Sequence, residues 1–371
     1  MAMAEQYKES VRKRNERSTK RRRGGVVFLA VLDSLIALFS LLLAFATVVA
    51  ILSHYISPER MQVLSVVTLA APVVYLLDLV VMFYWVLRRR IILLVATFAV
   101  AVAGTCYLSL YYKVDLTRHY ETKYVERNFI RILSYNTFGG SKQGLADYIL
   151  SRNADVICLQ EASRNSSNWA TLSAKYASTP ATDMDNASVI LTRHKILRSG
   201  AIDSLPLKKL LWADVKIGKK VVRVLNLHLH STSIKPEDTQ FIEEHHYLHD
   251  TARTSKIGSI VSRLVENNCR RAVEAEKVRQ WVEQSPYDVI VCGDFNDVPL
   301  SYTYRTILGD NLVDAFESVA DGYAYTFNRY FNLLRIDHLF HSPTIETISY
   351  EVDYNASYSD HFPVFVRLKL K

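Results

Sequence analysis

Cysteine is scarce in this chain. There are four in 371 residues, Cys106, Cys158, Cys269 and Cys292, and no two of them form a C-x-x-C pair. That absence removes both a thiolate zinc site and a dithiol redox motif. Cys106 lies in an apolar run, and Cys158 and Cys292 lie in strand-like runs, where a thiol behaves as a small hydrophobe. The spacing leaves any disulfide pairing open. No Ser or Cys stands in a nucleophile-plus-base motif, which argues against covalent catalysis through either. Internal repeats, low-complexity stretches and Gly/Ser-rich linkers are also missing. So is charge of one sign over most of the chain. Beyond residue 112 there are 32 Lys/Arg against 31 Asp/Glu, and all but one unit of the formal +8 comes from residues 1–112, with 13 against 6. A part so nearly balanced offers little long-range steering of a polyanion. A local basic groove from Lys208, Lys209, Lys216, Lys219 and Lys220 stays open.

Near the N-terminus, charge gives way to apolar length. Gly25 to Leu52 is broken only by Asp33, Met61 to Leu87 only by Asp78, and Ile91 to Tyr112 carries no charge at all. Each run exceeds the ~20 residues that cross a hydrocarbon core as a helix, so three transmembrane helices are expected over 25–112. Three such runs in succession are hard to hide as core helices in water. Lys and Arg set the orientation. "VRKRNERSTKRRR" precedes the first run, "RRR" at 88–90 joins the second to the third, and the loop "SHYISPER" has one Arg. Positive residues stay in the cytoplasm. The basic tail, residues 1–24, is therefore expected inside, facing anionic lipid, and everything after about Lys113 outside the cytoplasm. The first run is long and lacks a small-residue cleavage site, which argues against a cleaved signal peptide. Asp33 and Asp78 fall at matched depth, so they are expected to face each other or share a partner. Intramembrane acids are functional candidates; the blander reading has them protonated and hydrogen-bonded, or reached by Arg88–Arg90.

Residues 113–371 read as one α/β domain. Strand-like segments are 129–136, 155–161, 187–193, 211–217, 220–229, 288–296, 335–342, 345–352 and 362–370. Helical periodicity covers 144–152 and the long stretch Lys256 to Gln284. Many strands with few helices between them imply a layered α/β sandwich. Segment 231–255 is a long polar insertion containing His245, His246 and His249. A solvated loop suits it better than a metal cluster.

The apolar strands end in polar residues of one kind. "ILSYN" ends at Asn136, "VICLQE" at Glu161, "VLNLH" at Asn226 and His228, and "VIVCGDFN" at Asp294 and Asn296. "RIDHLF" adds Asp337, and "YSDHFPV" brings Asp360 and His361 before the last strand. Any one of these could cap a turn. Strands of a sheet end side by side, however, so their last residues can converge on one patch. Carboxylate and amide oxygens suit a hard cation such as Mg²⁺, which polarises a phosphoryl oxygen and activates water. Histidines supply acid, base or phosphate-donor groups near neutral pH. The set reads as metal-assisted hydrolysis of a phosphate ester by direct water attack.

"LSYN", "LQE", "NLHL", "GDFN", "RIDHLF" and "SDH", in that order over about 130–365, resemble the endonuclease/exonuclease/phosphatase superfamily. This is the fold of pancreatic-type deoxyribonuclease, apurinic endonucleases, neutral sphingomyelinases and inositol-polyphosphate 5-phosphatases. The resemblance implies a four-layer αββα sandwich with the site at one edge of the paired sheets. It implies that Glu161 binds Mg²⁺ (or Mn²⁺) with Asn136 beside it and Asp360 supporting the metal side. By the same resemblance, Asp294 and Asn296 orient or deprotonate the water, and His228 contacts the phosphate or protonates the leaving group. Asp337 holds His361 in its working tautomer, and Asn226 and Arg193 contact substrate. Whether Asp294 or His361 is the base stays open. "NLHL" is similar to the deoxyribonuclease and sphingomyelinase branches. Two departures stand out: His338 follows "RID" where the family often has Tyr, and Thr192-Arg193 replaces its Ser-Arg turn. The expectation is a multi-pass, bilayer-anchored phosphodiesterase acting on a lipid head group or nucleic acid outside the cytoplasm, with no protein partner inferable. The competing expectation is a non-catalytic membrane module that retains the fold, which the filled motif positions disfavour.

Overall fold

A computed structural model describes residues 2–62, 64–114, 129–180, 187–202, 210–232, 236–243 and 253–371. His245, His246, His249, Lys208 and Lys209 lie outside the described residues. The chain divides into two compact units, Met1–Val48 with Pro72–Gly104, and Val49–Ala71 with Thr105–Lys371.

The first unit is built from α1 (Ala2–Ser53), α2 (Leu64–Arg88) and α3 (Ile91–Thr105). Gly25–Ser53 and Leu64–Arg88, 29 and 25 residues, are long and apolar enough to cross a membrane. The third run corrects the expectation of three spans. Its helix has 15 residues, about 22 Å at 1.5 Å per residue, short of the ~30 Å core. The reason is that Leu110 and Tyr111, at the end of that run, are buried with Ala50 and Ala71 in a core cluster of the second unit. Their apolarity serves protein packing. The hydrolase-like unit thus takes in residues 49–71 and 105–112, ahead of the boundary expected at 113. Asp33 and Asp78 have separate partners, so they do not pair. Arg88 donates to Asp33 at 2.7 and 2.9 Å, Arg90 at 3.0 Å and Tyr84 at 2.7 Å, whereas Asp78 accepts from Thr47 at 2.7 Å.

The strands of the second unit begin with β1 (Tyr112–Lys113). Then come β2 (Phe129–Asn136), α4 (Leu145–Ser151), β3 (Val156–Ala162), α5 (Ser167–Ser173), β4 (Ala177–Ser178) and β5 (Ala187–Thr192). The middle of the chain forms β6 (Lys195–Ala201), β7 (Leu211–Ile217), β8 (Lys220–His228), α6 (Pro236–Glu243), α7 (Arg253–Glu283) and β9 (Asp288–Asp294). It closes with α8 (Tyr302–Leu308), β10 (Val313–Asp314), α9 (Ala315–Val319), β11 (Gly322–Tyr323), β12 (Asp337–His341), β13 (Ile345–Val352) and β14 (Val364–Leu370). One six-stranded sheet runs β13-β14-β2-β3-β5-β4, the other β10-β12-β9-β8-β7-β6, and β1 pairs with β11. Each large sheet has a parallel pair at its centre, β2 with β3 and β8 with β9. Central parallel strands are covered on both faces, which is why "DVICL" and "DVIVC" lack alternation.

Side-chain alternation sorts these strands into layers. Ile132, Cys158, Val224, Ile290 and Cys292 fill the space between the sheets. Leu133, Ile157 and Leu159 face outward onto α4 and α5, through Leu145, Ile149 and Leu172. Leu225, Val289 and Val291 face outward onto α7 and α8, through Ala275, Val278, Tyr304 and Ile307. This is the four-layer αββα sandwich that the resemblance implied, and the layered α/β sandwich that the strand pattern implied. The insertion at 231–255 is partly helical: α6 packs through Phe241 against Ile260 and Leu264 of α7.

Candidate active site

The face between the sheets is apolar at its base and polar at one end. The inner positions of β2 run Ile130, Ile132, Ser134, Asn136, and those of β8 run Val222, Val224, Asn226, His228. In β9 they run Ile290, Cys292, Asp294, and Asp337 opens β12 opposite Asp294. Period-two alternation alone carries these residues to a common rim.

Glu161 reaches the rim by a different device. Simple alternation would turn it outward beside Leu159. The β3–β5 ladder shifts register between Leu159 and Ala162, and Glu161 has φ 51°. A bulge of this kind re-aims one side chain, and here it brings the carboxylate beside Asn136 and His228. Asn296 also takes a left-handed backbone, φ 52°. Its N–H donates to Asp294 Oδ1 at 2.8 Å and its side chain donates to the Leu229 carbonyl at 3.2 Å.

Asp294 stands at the centre. Asn136 Nδ2 donates to its Oδ2 at 2.9 Å and to Glu161 Oε1 at 3.2 Å. His228 Nε2 lies 3.5 Å from Glu161 Oε1 and 3.9 Å from Asp294 Oδ2. His361 Nε2 lies 3.7 Å from Asp294 Oδ2, and its Nδ1 is 2.9 Å from Asp337 Oδ2. Asp337 is braced from behind by Thr326, whose Oγ1 accepts from the N–H groups of Ile336 and Asp337 at 3.0 Å each. Phe327 pairs with His361 by a backbone bridge and sets its ring 4.9 Å from the imidazole. Neither Thr326 nor Phe327 carries a sequence signal of its own, because each sits in an irregular loop and works by contact.

Burial pushes the Asp294 carboxyl up to about 7; neighbouring Asp337 adds to this and His361 opposes it. Burial also works against the charged form of His361, but Asp337 and then Asp294 outweigh it and raise the imidazole to about 10. The pair thus places a carboxylate that titrates near neutrality beside an imidazolium that does not.

Asp294, Asp337 and His361 offer ligand atoms within 4.8 Å of one another. The Asp337–His361 hydrogen bond gives this trio the geometry of an acid–base triad. Glu161 is better suited to a cation, since a quarter of its side chain is exposed while those of Asp294 and Asp337 are 1–2% exposed. The carboxylates of Glu161, Asp294 and Asp337 are hard oxygen donors, and Cys158 and Cys292 are buried in the core, which fits a divalent cation of the Mg²⁺ type.

Three expected roles change. Asn136 keeps its expected place beside Glu161, presenting its amide N–H to the carboxylates while its Oδ1 accepts from the Phe138 N–H at 3.1 Å. Asp360 is half-buried and bonds Ser359 at 3.4 Å; its charge acts on His361, away from Glu161. Asn226 is fully buried one layer below His228, with Gln160 donating to it at 2.6 Å and its own amide bonding Leu159 and Val189 carbonyls at 2.9 Å. It ties the sheets together and has no surface for substrate. Arg193 follows β5, which runs antiparallel to β3, so Thr192 sits opposite Val156. That is five residues from Glu161 along the strand, about 17 Å, and Arg193 instead covers Tyr176 and bonds Asn153.

A family model described as "Endonuclease/Exonuclease/phosphatase family" matches residues 133–361, and one described as a domain of unknown function matches residues 33–111. No curated protein matches. Among solved structures, humanized D. rerio TDP2 carrying 14 mutations is 18% identical, with a TM-score of 0.49 over 65% of this chain and 99% of that one. The endonuclease/exonuclease/phosphatase from Bacteroides vulgatus is 19% identical, with a TM-score of 0.44 over 66% and 100%. The human Nocturnin catalytic domain with bound sulfate is 16% identical, with a TM-score of 0.46 over 66% and 95%. With its family model spanning more than half of the residues and the family's motifs gathered at one sheet edge, the chain belongs to the endonuclease/exonuclease/phosphatase family of metal-dependent phosphoester hydrolases.

Proposed function

We propose that the protein is a membrane-anchored phosphodiesterase that uses water as its nucleophile. One observation carries the reading: Glu161, Asn136, His228, Asp294 and the Asp337–His361 pair, drawn from both sheets, each come within 3.9 Å of another member of the set. The two long apolar helices, Gly25–Ser53 and Leu64–Arg88, support the anchoring. The substrate is a diester, a lipid head group or a nucleic acid.

Glu161 would hold a divalent cation, which would supply polarisation of a phosphoryl oxygen. Asp294, raised toward neutrality, takes the proton of the attacking water. The His361 imidazolium, fixed in orientation by Asp337, donates to a phosphoryl oxygen and steadies the developing charge. His228 stands across Asp294 from it and serves the leaving group, and Asn136 donates to the same charged patch.

The test is hydrolysis by the detergent-purified full-length protein with Mg²⁺ or with EDTA. Linear and plasmid DNA, RNA, sphingomyelin and phosphoinositides are offered side by side, with Glu161→Ala as control. Cleavage that needs the cation and falls at least about 100-fold in Glu161→Ala is expected, and the substrate that reacts identifies the class. Failure to cleave any diester would favour the non-catalytic membrane module.

The pH profile is a second test. The base must be ionised and the donor charged, so the rate should rise as Asp294 deprotonates near pH 7 and fall as His361 deprotonates near pH 10. A cation at Glu161 favours the ionised carboxylate and moves the lower limb down. A flat profile through both limbs would contradict the assignment.

A further inference from the structure

His338 stands where the family's motif often has Tyr, immediately after Asp337, and it faces away from the space between the sheets. It is fully buried. Phe295 and Tyr304 each bring a ring to 5.0 Å from it. Its two nitrogens have different partners: Arg335 Nη1 lies 3.1 Å from Nδ1, and the Asp297 carbonyl lies 2.9 Å from Nε2. Arginine can only donate and a carbonyl can only accept. The ring is therefore neutral, with its proton on Nε2 and donated to Asp297.

Asp297 belongs to the turn "GDFNDVP" that carries Asp294 and Asn296. Its carboxylate takes Arg271 Nε at 3.4 Å and the Val298 N–H at 3.0 Å. The residue before it, Asn296, has φ 52°. A left-handed non-glycine residue persists only where its surroundings over-determine it. Arg335 in turn donates to Asp314 at 3.3 Å and to the Leu110 carbonyl at 2.7 Å. A continuous chain of hydrogen bonds thus runs from the backbone after α3 to the active-site turn.

Resting on the phosphodiesterase reading, we propose that His338 is a positioning residue. Its Nε2–H, anchored through Arg335 to the Leu110 carbonyl, holds the Asp297 peptide and so fixes Asp294 and Asn296 in working geometry.

The test exploits amide reach in the full-length, detergent-solubilised protein. An Asn amide falls near the place of Nδ1 and a Gln amide near the place of Nε2. His338→Asn keeps the acceptor for Arg335 and loses the bond to Asp297; His338→Gln keeps a donor to Asp297. With bis(4-nitrophenyl) phosphate and Mg²⁺, His338→Asn is expected to lose about 10- to 100-fold in kcat, as misplacement of about 1 Å does, with KM within about twofold. His338→Gln should stay within about threefold of wild type in both. Amide hydrogen exchange over residues 294–298 should quicken in the Asn variant and not in the Gln variant. If His338→Asn does not melt cooperatively, His338→Leu, matched to the aromatic surroundings, takes its place. Equal kcat in the Asn (or Leu) and Gln variants, or equal exchange, overturns the proposal. Inactivity of the wild-type protein would instead count against the phosphodiesterase reading, and the exchange comparison then decides the role of His338 alone.

Discussion

Asp294→Asn should lower kcat by about 10³–10⁴, the upper range for removing a positioned general base, while the protein stays folded. Asparagine keeps the shape and can still accept the Asn296 N–H that Asp294 holds at 2.8 Å. It cannot take a proton from water. Its amide would also share a position where Asn136 already donates at 2.9 Å, so the local geometry is further spoiled. Thermal stability above neutral pH should not fall, because burial already disfavours the ionised carboxylate there. Single-turnover kinetics with saturating diester measure the chemical step. A loss smaller than about tenfold would transfer the base to another group, with His361 the first to be examined.

Gly293→Ala should cost about 4 kcal/mol or more, in the range reserved for a named structural fault. Gly293 has φ +135°, and a Cβ there would sit 2.0 Å from the Leu227 carbonyl oxygen. That oxygen is backbone in the neighbouring parallel strand, and the register pairs Leu227 with Gly293. Relief requires moving β8 against β9 at the level of His228 and Asp294. The catalytic unit is large, so about 2–4 °C per kcal/mol applies, and the melting midpoint should drop by about 10 °C. Activity should fall with it even well below the midpoint. A variant with the wild-type midpoint would mean that the two strands are not packed as described.

The strands and the rim were legible because both follow from period two. Segments such as 129–136, 211–217 and 345–352 form strands with the bounds that their apolar runs suggest. Motifs at their ends converge because parallel neighbours end together. What escaped the sequence depended on direction or on partners far along the chain. Arg193 follows a strand that runs away from the site, a fact set by the β3–β5 pairing. Asn226 shares the inner phase with His228, yet it lies one layer deeper, and depth is invisible in a motif. The third apolar run reads as lipid-facing throughout, although its last residues lie in a protein core. β6, with no fully buried residue along its length, has too little alternation to announce itself.

The pairing of the last strand with the first has a consequence in time. β14 lies against β2, with Val364 opposite Ser134, so Asn136 and His361, 225 positions apart in sequence, come together only when the chain between them has been made. Such long-range closure is slow and comes late in folding. During synthesis the growing chain carries Glu161, His228 and then Asp294 without the partners that arm them. The site is therefore incomplete until β14 pairs with β2, and any activity waits on that closure.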